Sequence, residues 1–202
     1  MAENKISFIG DSAEYEVISY AVELTKNVDG MLCEIGLRLG MGTSLMIEGV
    51  RGTKRRVISI DPYGHIEYEH KEGQIVRLDY TNQMRNECLS RLYAFIGEVN
   101  YKFFNDTDLE FFDKYSGGVW WYELDHILET KYSCVHLDGP HAVEPITKEI
   151  MWFNDRMDRG ACIIIDDVSE EYIDFDKIRH ILWGLHWEEL KTGNKKSLWR
   201  KL

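Results

Sequence analysis

The sequence predicts an α/β domain: a doubly wound, mainly parallel sheet with helices on both faces and an antiparallel hairpin strand at its C-terminal end. Three observations carry this. Short apolar runs alternate with segments of helical periodicity, an order that implies parallel strands joined by crossover helices. One run, 161–165 "ACIII", is apolar on both faces, as a central strand of such a sheet must be. Five successive strands end in, or just before, an acidic residue, at the edge where open sheets bind ligands.

The elements follow in order. Asp11-Ser12 opens a helix carrying Tyr15, Ile18, Val22 and Leu24, with Asp11 or Ser12 as its cap. Residues 31–35 form a strand that ends at Gly36, and a helix runs from about Thr43 to Val50. "RVISI" (56–60) is the second strand, ending in Asp61-Pro62. Residues 80–99 read as a helix, because Met84, Cys88, Leu92 and Phe95 share one stripe. Residues 101–104 are a short third strand before Asn105-Asp106. Between Thr107 and Lys131 the pattern suggests a short helix (109–115), a turn at Gly117-Gly118 and the aromatic cluster Trp120-Trp121-Tyr122. Residues 133–137 are the fourth strand, ending in Asp138-Gly139. A helix over 143–157 stops at Asp158-Arg159-Gly160. The fifth strand, "ACIII", ends in Asp166-Asp167, a helix covers 175–185, and 187–191 pairs with 197–201 around "TGNKK".

One domain over 1–202 is expected, with an N-terminal helical segment (1–29) and a core (30–202). The formal net charge of −11 argues against a nucleic-acid partner, which requires clustered Lys and Arg. The locally basic tail from Lys191 to Lys201 reads as a solvated hairpin. No stretch resembles a signal peptide or a membrane span, and no membrane partner is expected. Cys33, Cys88, Cys134 and Cys162 form no CxxC pair and three lie in apolar runs, so buried thiols and a cytoplasmic location are expected. The aromatic cluster suits core packing or a subunit contact, such as a homodimer, better than a substrate wall.

The strand-end acids and the glycine loop carry the chemistry. Any one acid after a strand is an ordinary cap or turn residue. Five at one edge concentrate negative charge that cations, hydrogen-bond donors or a metal must offset. The loop Gly36-x-x-x-Gly40-x-Gly42 has neither the GxGxxG spacing of a dinucleotide site nor the Gly-Lys-Ser/Thr of a P-loop. Glu34 beside it would repel phosphate. Asp61 suits ribose hydroxyls and Asp106 an adenine amino group. Together these describe a site for an adenosine ligand without phosphate.

In this order "CEIGLRLGMGTS", "VISIDPY", "FFNDT", "CVHLDGPH" and "GACIIIDDV" resemble the class I S-adenosylmethionine-dependent methyltransferases, over about residues 30 to 170. The resemblance implies a Rossmann-like sheet and S-adenosylmethionine as cofactor. Glu34, Gly36 and Gly40 match the first motif, beside the methionine part of the cofactor, and Ser44 is a further cofactor-binding candidate. Asp61 matches the ribose-binding acid, and Asp106 lies in the stretch beside adenine, with Asn105 where glycine is usual. "LDGPH", then a helix, then a strand ending in "DD" is similar to the magnesium-dependent small-molecule O-methyltransferases of the catechol and macrolide-sugar types. That likeness implies Mg2+ held by Asp138, Asp166 and Asp167, an ion that prefers carboxylate and substrate oxygens. The plainer alternative has Asp138 touching cofactor or substrate and Asp166 and Asp167 capping the next turn. His141 stands near where the catechol type has its lysine base, and suits a base, a fourth ligand or a helix cap. The expected activity is methyl transfer to an oxygen of a small molecule, with Asp138 and His141 catalytic. The alternatives are a metal-independent enzyme acting on nitrogen or a protein, and an inactive S-adenosylmethionine-binding relative.

Overall fold

The computed structural model describes residues 7–71, 73–123, 125–169 and 173–202. The chain runs α1 (Glu16–Leu24), β1 (Met31–Ile35), α2 (Met41–Val50), β2 (Arg56–Ile60), β3 (Gly64–Lys71) and β4 (Gln74–Tyr80). It continues with α3 (Asn82–Phe95), β5 (Asn100–Phe104), α4 (Asp108–Lys114), β6 (Val119–Tyr122), β7 (His126–Glu129) and β8 (Tyr132–Leu137). It closes with α5 (Val143–Asn154), β9 (Met157–Ile165), α6 (Phe175–Gly184), β10 (Trp187–Thr192) and β11 (Ser197–Lys201). Seven strands form one sheet in the order β10-β11-β9-β8-β1-β2-β5. The five from β9 to β5 are parallel, and β11 and β10 add antiparallel at the β9 edge. The strand order reverses between β1 and its neighbours β8 and β2, the place where such sheets open a crevice.

Side chains alternate across the sheet, so each strand feeds two cores. Met31, Cys33 and Ile35 join one with Phe111, Ile146, Phe153 and Ile178. Leu32 joins the other with Val17, Ile18, Met46, Ile47 and Leu92. All four cysteines are buried and free of disulfides. No helix among the described residues is long and apolar enough to cross a membrane.

The carboxyl ends lie flush because each ladder runs one residue past its strand. Gly36 N–H donates to Ile60, Asp61 N–H to Phe104, Asp138 N–H to Ile35 and Asp166 N–H to Leu137, all at 2.9–3.0 Å. Gly36 is required here: its φ is +88°, and an added Cβ would lie 2.0 Å from the Asp138 carbonyl oxygen.

Several elements differ from the expectations. α1 starts at Glu16, with no side-chain cap from Asp11 or Ser12. The Tyr15 hydroxyl instead accepts the backbone N–H groups of Asp11 and Ser12, both at 3.1 Å, and holds the segment off the helix. The helix expected over 80–99 is shorter, because β4 takes Tyr80 and Thr81 caps α3 by accepting from Met84 N–H at 3.2 Å. Asp158-Arg159-Gly160 does not stop a helix. α5 ends at Asn154, and β9 begins at Met157, paired with Tyr132. The aromatic cluster is strand β6: Trp121 is buried under Lys102 and Arg56, while Trp120 and Tyr122 are exposed. Its hairpin β6–β7 ties to Arg56 through Glu129 at 2.8 Å, at the amino end of the sheet.

Candidate active site

A cavity of about 550 Å³ opens beyond the carboxyl ends of β1, β2, β8 and β9. This volume lies in the range of small-molecule sites. Gly36, Asp61, Asp138, His141, Asp166 and Asp167 all line it. Glu34, Gly40, Ser44 and Asp106 do not.

Glu34 lies under the loop rather than in the cavity. One carboxylate oxygen accepts from Thr43 N–H at 2.7 Å and from the Thr43 hydroxyl, and the other meets His136 Nδ1 at 2.9 Å. It thereby serves the third N–H of α2, whose N-cap Gly40 has no side chain to do so. Gly42 leaves room for it, since a Cβ there would lie 1.8 Å from Glu34 Oε1. Gly40 supplies a left-handed turn at φ +82°, and the Ser44 hydroxyl donates to Met41 O at 2.7 Å. Asp106 pairs with Lys114.

Asp61 is buried, with one oxygen accepting Arg38 N–H at 2.8 Å and the other Tyr63 N–H at 2.9 Å. Burial lifts its carboxyl to about 6, against the pull of these donors. Both donors sit at positive φ, +39° for Arg38 and +41° for Tyr63, so the backbone is bent to reach the acid. The carboxylate keeps acceptor capacity for a ligand hydroxyl.

His136 on β8 is opposite Glu34 in the β1–β8 register and fully buried. Burial works against its charge, but the carboxylates of Asp166 and Glu34 outweigh that and lift the imidazole to about 9. Asp166 is held well below the usual carboxylate range: burial opposes this, and His136 and Lys196 prevail. Asp138 is pushed well above that range by burial and by the neighbouring Asp166 charge. Asp166 Oδ2 is ion-paired with Lys196, and its Oδ1 accepts from Asp167 N–H at 2.8 Å. Asp167, at φ +50°, meets Lys195 Nζ at 2.8 Å and His141 Nε2 at 3.5 Å. His141 is nearly buried at the cavity wall.

Of the three acids expected to hold a metal, two, Asp138 and Asp166, come together. His136, Asp138 and Asp166 each bring a donor atom within 4.8 Å of the others, but Asp167 stands outside this group. Mg2+ takes oxygen ligands, whereas one of these three donors is an imidazole and another a carboxylate already bound to an ammonium.

Sequence reasoning misses several lining residues: Asp11, Ser12, Arg38, Tyr80, Asp108 and Lys195. Asp108 has a signal, standing two residues past Asp106 in the same loop. Burial raises its pKa and that of Glu149, and the Asp108 charge raises Glu149 further.

A family model described as "Methyltransferase domain" matches residues 33–168, two thirds of the chain. The chain belongs to this family. It has the Rossmann-like methyltransferase fold and is an S-adenosylmethionine-dependent methyltransferase. No curated protein matches the sequence. Among solved structures, the calicheamicin methyltransferase CalS11 is similar with a TM-score of 0.65 and 11% identity, covering 93% of this chain and 78% of that one. The O-methyltransferase TomG from Streptomyces achromogenes, solved with S-adenosylmethionine, has a TM-score of 0.61 and 13% identity, covering 94% and 81%. A precorrin-6y C5,15-methyltransferase from Geobacter metallireducens has a TM-score of 0.60 and 10% identity, covering 100% and 97%. Likeness at these identities is a likeness of fold.

Proposed function

We propose that the protein transfers the methyl group of S-adenosylmethionine to a hydroxyl oxygen of a small molecule. The observation that carries this reading is His141 at the cavity wall, with Nε2 facing Asp167 and Asp138 close by in sequence. A histidine steered by a carboxylate is a suitable base for a hydroxyl proton near neutrality. The acceptor oxygen would attack the sulfonium methyl in line as His141 takes its proton, and S-adenosylhomocysteine would leave. Asp61 would accept the ribose hydroxyls, and the backbone at Gly36 would lie against the methionine portion. Two similar folds act on oxygen, the TDP-rhamnose 3'-O-methyltransferase CalS11 and the O-methyltransferase TomG, which is compatible with this acceptor class.

The likeness to magnesium enzymes would add Mg2+ at Asp138, Asp166 and Asp167. The donor set fits it poorly, because Asp167 stands apart and Asp166 is already paired with Lys196. Four buried thiols outside disulfides support a reducing, cytoplasmic setting.

Calorimetry with S-adenosylhomocysteine tests the reading. Near-micromolar binding is expected, and folded protein that fails to bind would overturn it. His141→Ala should lower kcat by about 10²–10⁴-fold in a catechol and sugar acceptor panel, with S-adenosylhomocysteine affinity unchanged. A kcat unaffected by this change would remove His141 as the base.

A further inference from the structure

Two adjacent acids, Asp166 and Asp167, follow β9, and two adjacent lysines, Lys195 and Lys196, precede β11. The two strands are antiparallel, with Leu198 opposite Ile164 and Ser197 opposite Ile165. One and two further steps in that register set Lys196 against Asp166 and Lys195 against Asp167. The two segments stay together there, since Val168 N–H donates to the Lys195 carbonyl at 3.0 Å. Opposite charges directly across antiparallel neighbours attract.

Lys196 is enclosed. Its side chain has no exposed surface. The ammonium donates to Asp166 Oδ2 and, at 3.0 Å, to Ser12 Oγ, and lies 4.8 Å from the centre of the Tyr15 ring. An ammonium has three N–H bonds to place, and these groups take them. The surroundings are built to hold it. Glu14 accepts the backbone N–H groups of Asn194, Lys195 and Lys196 at 2.8, 3.1 and 2.9 Å. Gly193 packs so closely that a Cβ would lie 2.2 Å from Glu14 Oε2. The turn bearing Lys196 is thus clamped to the segment bearing Ser12 and Tyr15.

We propose that Lys196 is the resident cation on Asp166, standing where a divalent ion would otherwise sit between Asp138 and Asp166, so that this site works without a metal. The inference rests on the reading of the cavity as the methyl-transfer site. Mg2+ would need the Asp166 oxygen at about 2.1 Å, and the ammonium already holds that oxygen. A further cation on a carboxylate that already faces the Lys196 ammonium and the His136 imidazolium would be repelled by both. Without chelation, a vicinal diol has no advantage over an acceptor with one hydroxyl.

The test is a calorimetric titration of the whole protein with Mg2+ alone, and a terbium luminescence titration, on the wild type and on Lys196→Met. The wild type should bind no stoichiometric Mg2+, and chelator should leave its melting temperature and S-adenosylhomocysteine affinity unchanged. One Mg2+ per chain, removable by chelator, would overturn the proposal. Lys196→Met should gain a terbium site that Asp166→Asn abolishes in the double variant. A folded Lys196→Met that gains no site would also overturn it. If that variant does not fold, the wild-type titration decides alone. Loss of S-adenosylhomocysteine binding in the wild type would strike the methyltransferase reading, whichever way the metal titration falls.

Discussion

His136 sets the pH response of the site's foundation. Its imidazole is raised from an ordinary 6.5 to about 9 in the fold, so the folded state binds the proton more tightly than the unfolded state. The stability this provides is complete below about pH 6.5 and is lost as pH rises through about 9. Each pH unit between those two values is worth roughly 1.4 kcal/mol, which puts the total on the order of 3 kcal/mol. Denaturant melts of the wild type should therefore weaken between pH 6.5 and 9 more steeply than those of His136→Gln; parallel curves would dismiss the charged imidazole. Gly36 is the most exacting backbone position, where a left-handed φ coincides with contact against Asp138. Gly36→Ala should cost about 2–4 kcal/mol in urea unfolding and weaken S-adenosylhomocysteine binding, because the strand end must move. Unchanged stability would mean that β1 and β8 separate more readily than this packing implies.

At the scale of elements, the turn between β10 and β11 depends on an acid from the other end of the chain. Glu14→Ala removes the acceptor of three N–H groups that water can only partly replace. Hydrogen exchange at residues 194–196 should quicken, with about 1–2 kcal/mol lost in global stability; protection equal to the wild type would show the turn to be self-supporting. The same dependence explains what the sequence can reveal. β1, β2, β8 and β9 are readable because they are apolar runs ending in acids, and the cavity-lining Gly36, Asp61, Asp138 and Asp166 follow from those ends. The β3–β4 hairpin is not legible, since residues 64–80 mix charge and apolar residues without a clean alternation. Asp158-Arg159-Gly160 resembles a helix stop, yet it lies in a strand whose ladder with β8 shifts register just there. Glu34 reads as a ligand contact because its partners Thr43 and His136 lie nine and 102 residues away. Lys196 is hidden for a similar reason: "KK" meets "DD" only once the pairing of β11 with β9 is known.

Across the whole molecule, two cores grip the sheet from both faces and leave the crevice at its carboxyl edge as the site for a ligand. A ligand that binds only the folded state adds about 2.7 kcal/mol when present at about 100 times its Kd. For a chain of this size S-adenosylhomocysteine should then raise Tm by about 5–10 °C, while millimolar Mg2+ alone should leave it unmoved; a scanning-fluorimetry series reads both. The clamp of Glu14 on residues 194–196 spans about 180 positions of sequence. A contact of that span is among the costliest in loop closure and is made late. During synthesis the parallel strands can assemble while the last turn is still missing, and Asp166 then has no ammonium to face. The cavity becomes electrostatically complete only when the two ends of the described chain meet, so the growing polypeptide has its scaffold before it has a finished pocket.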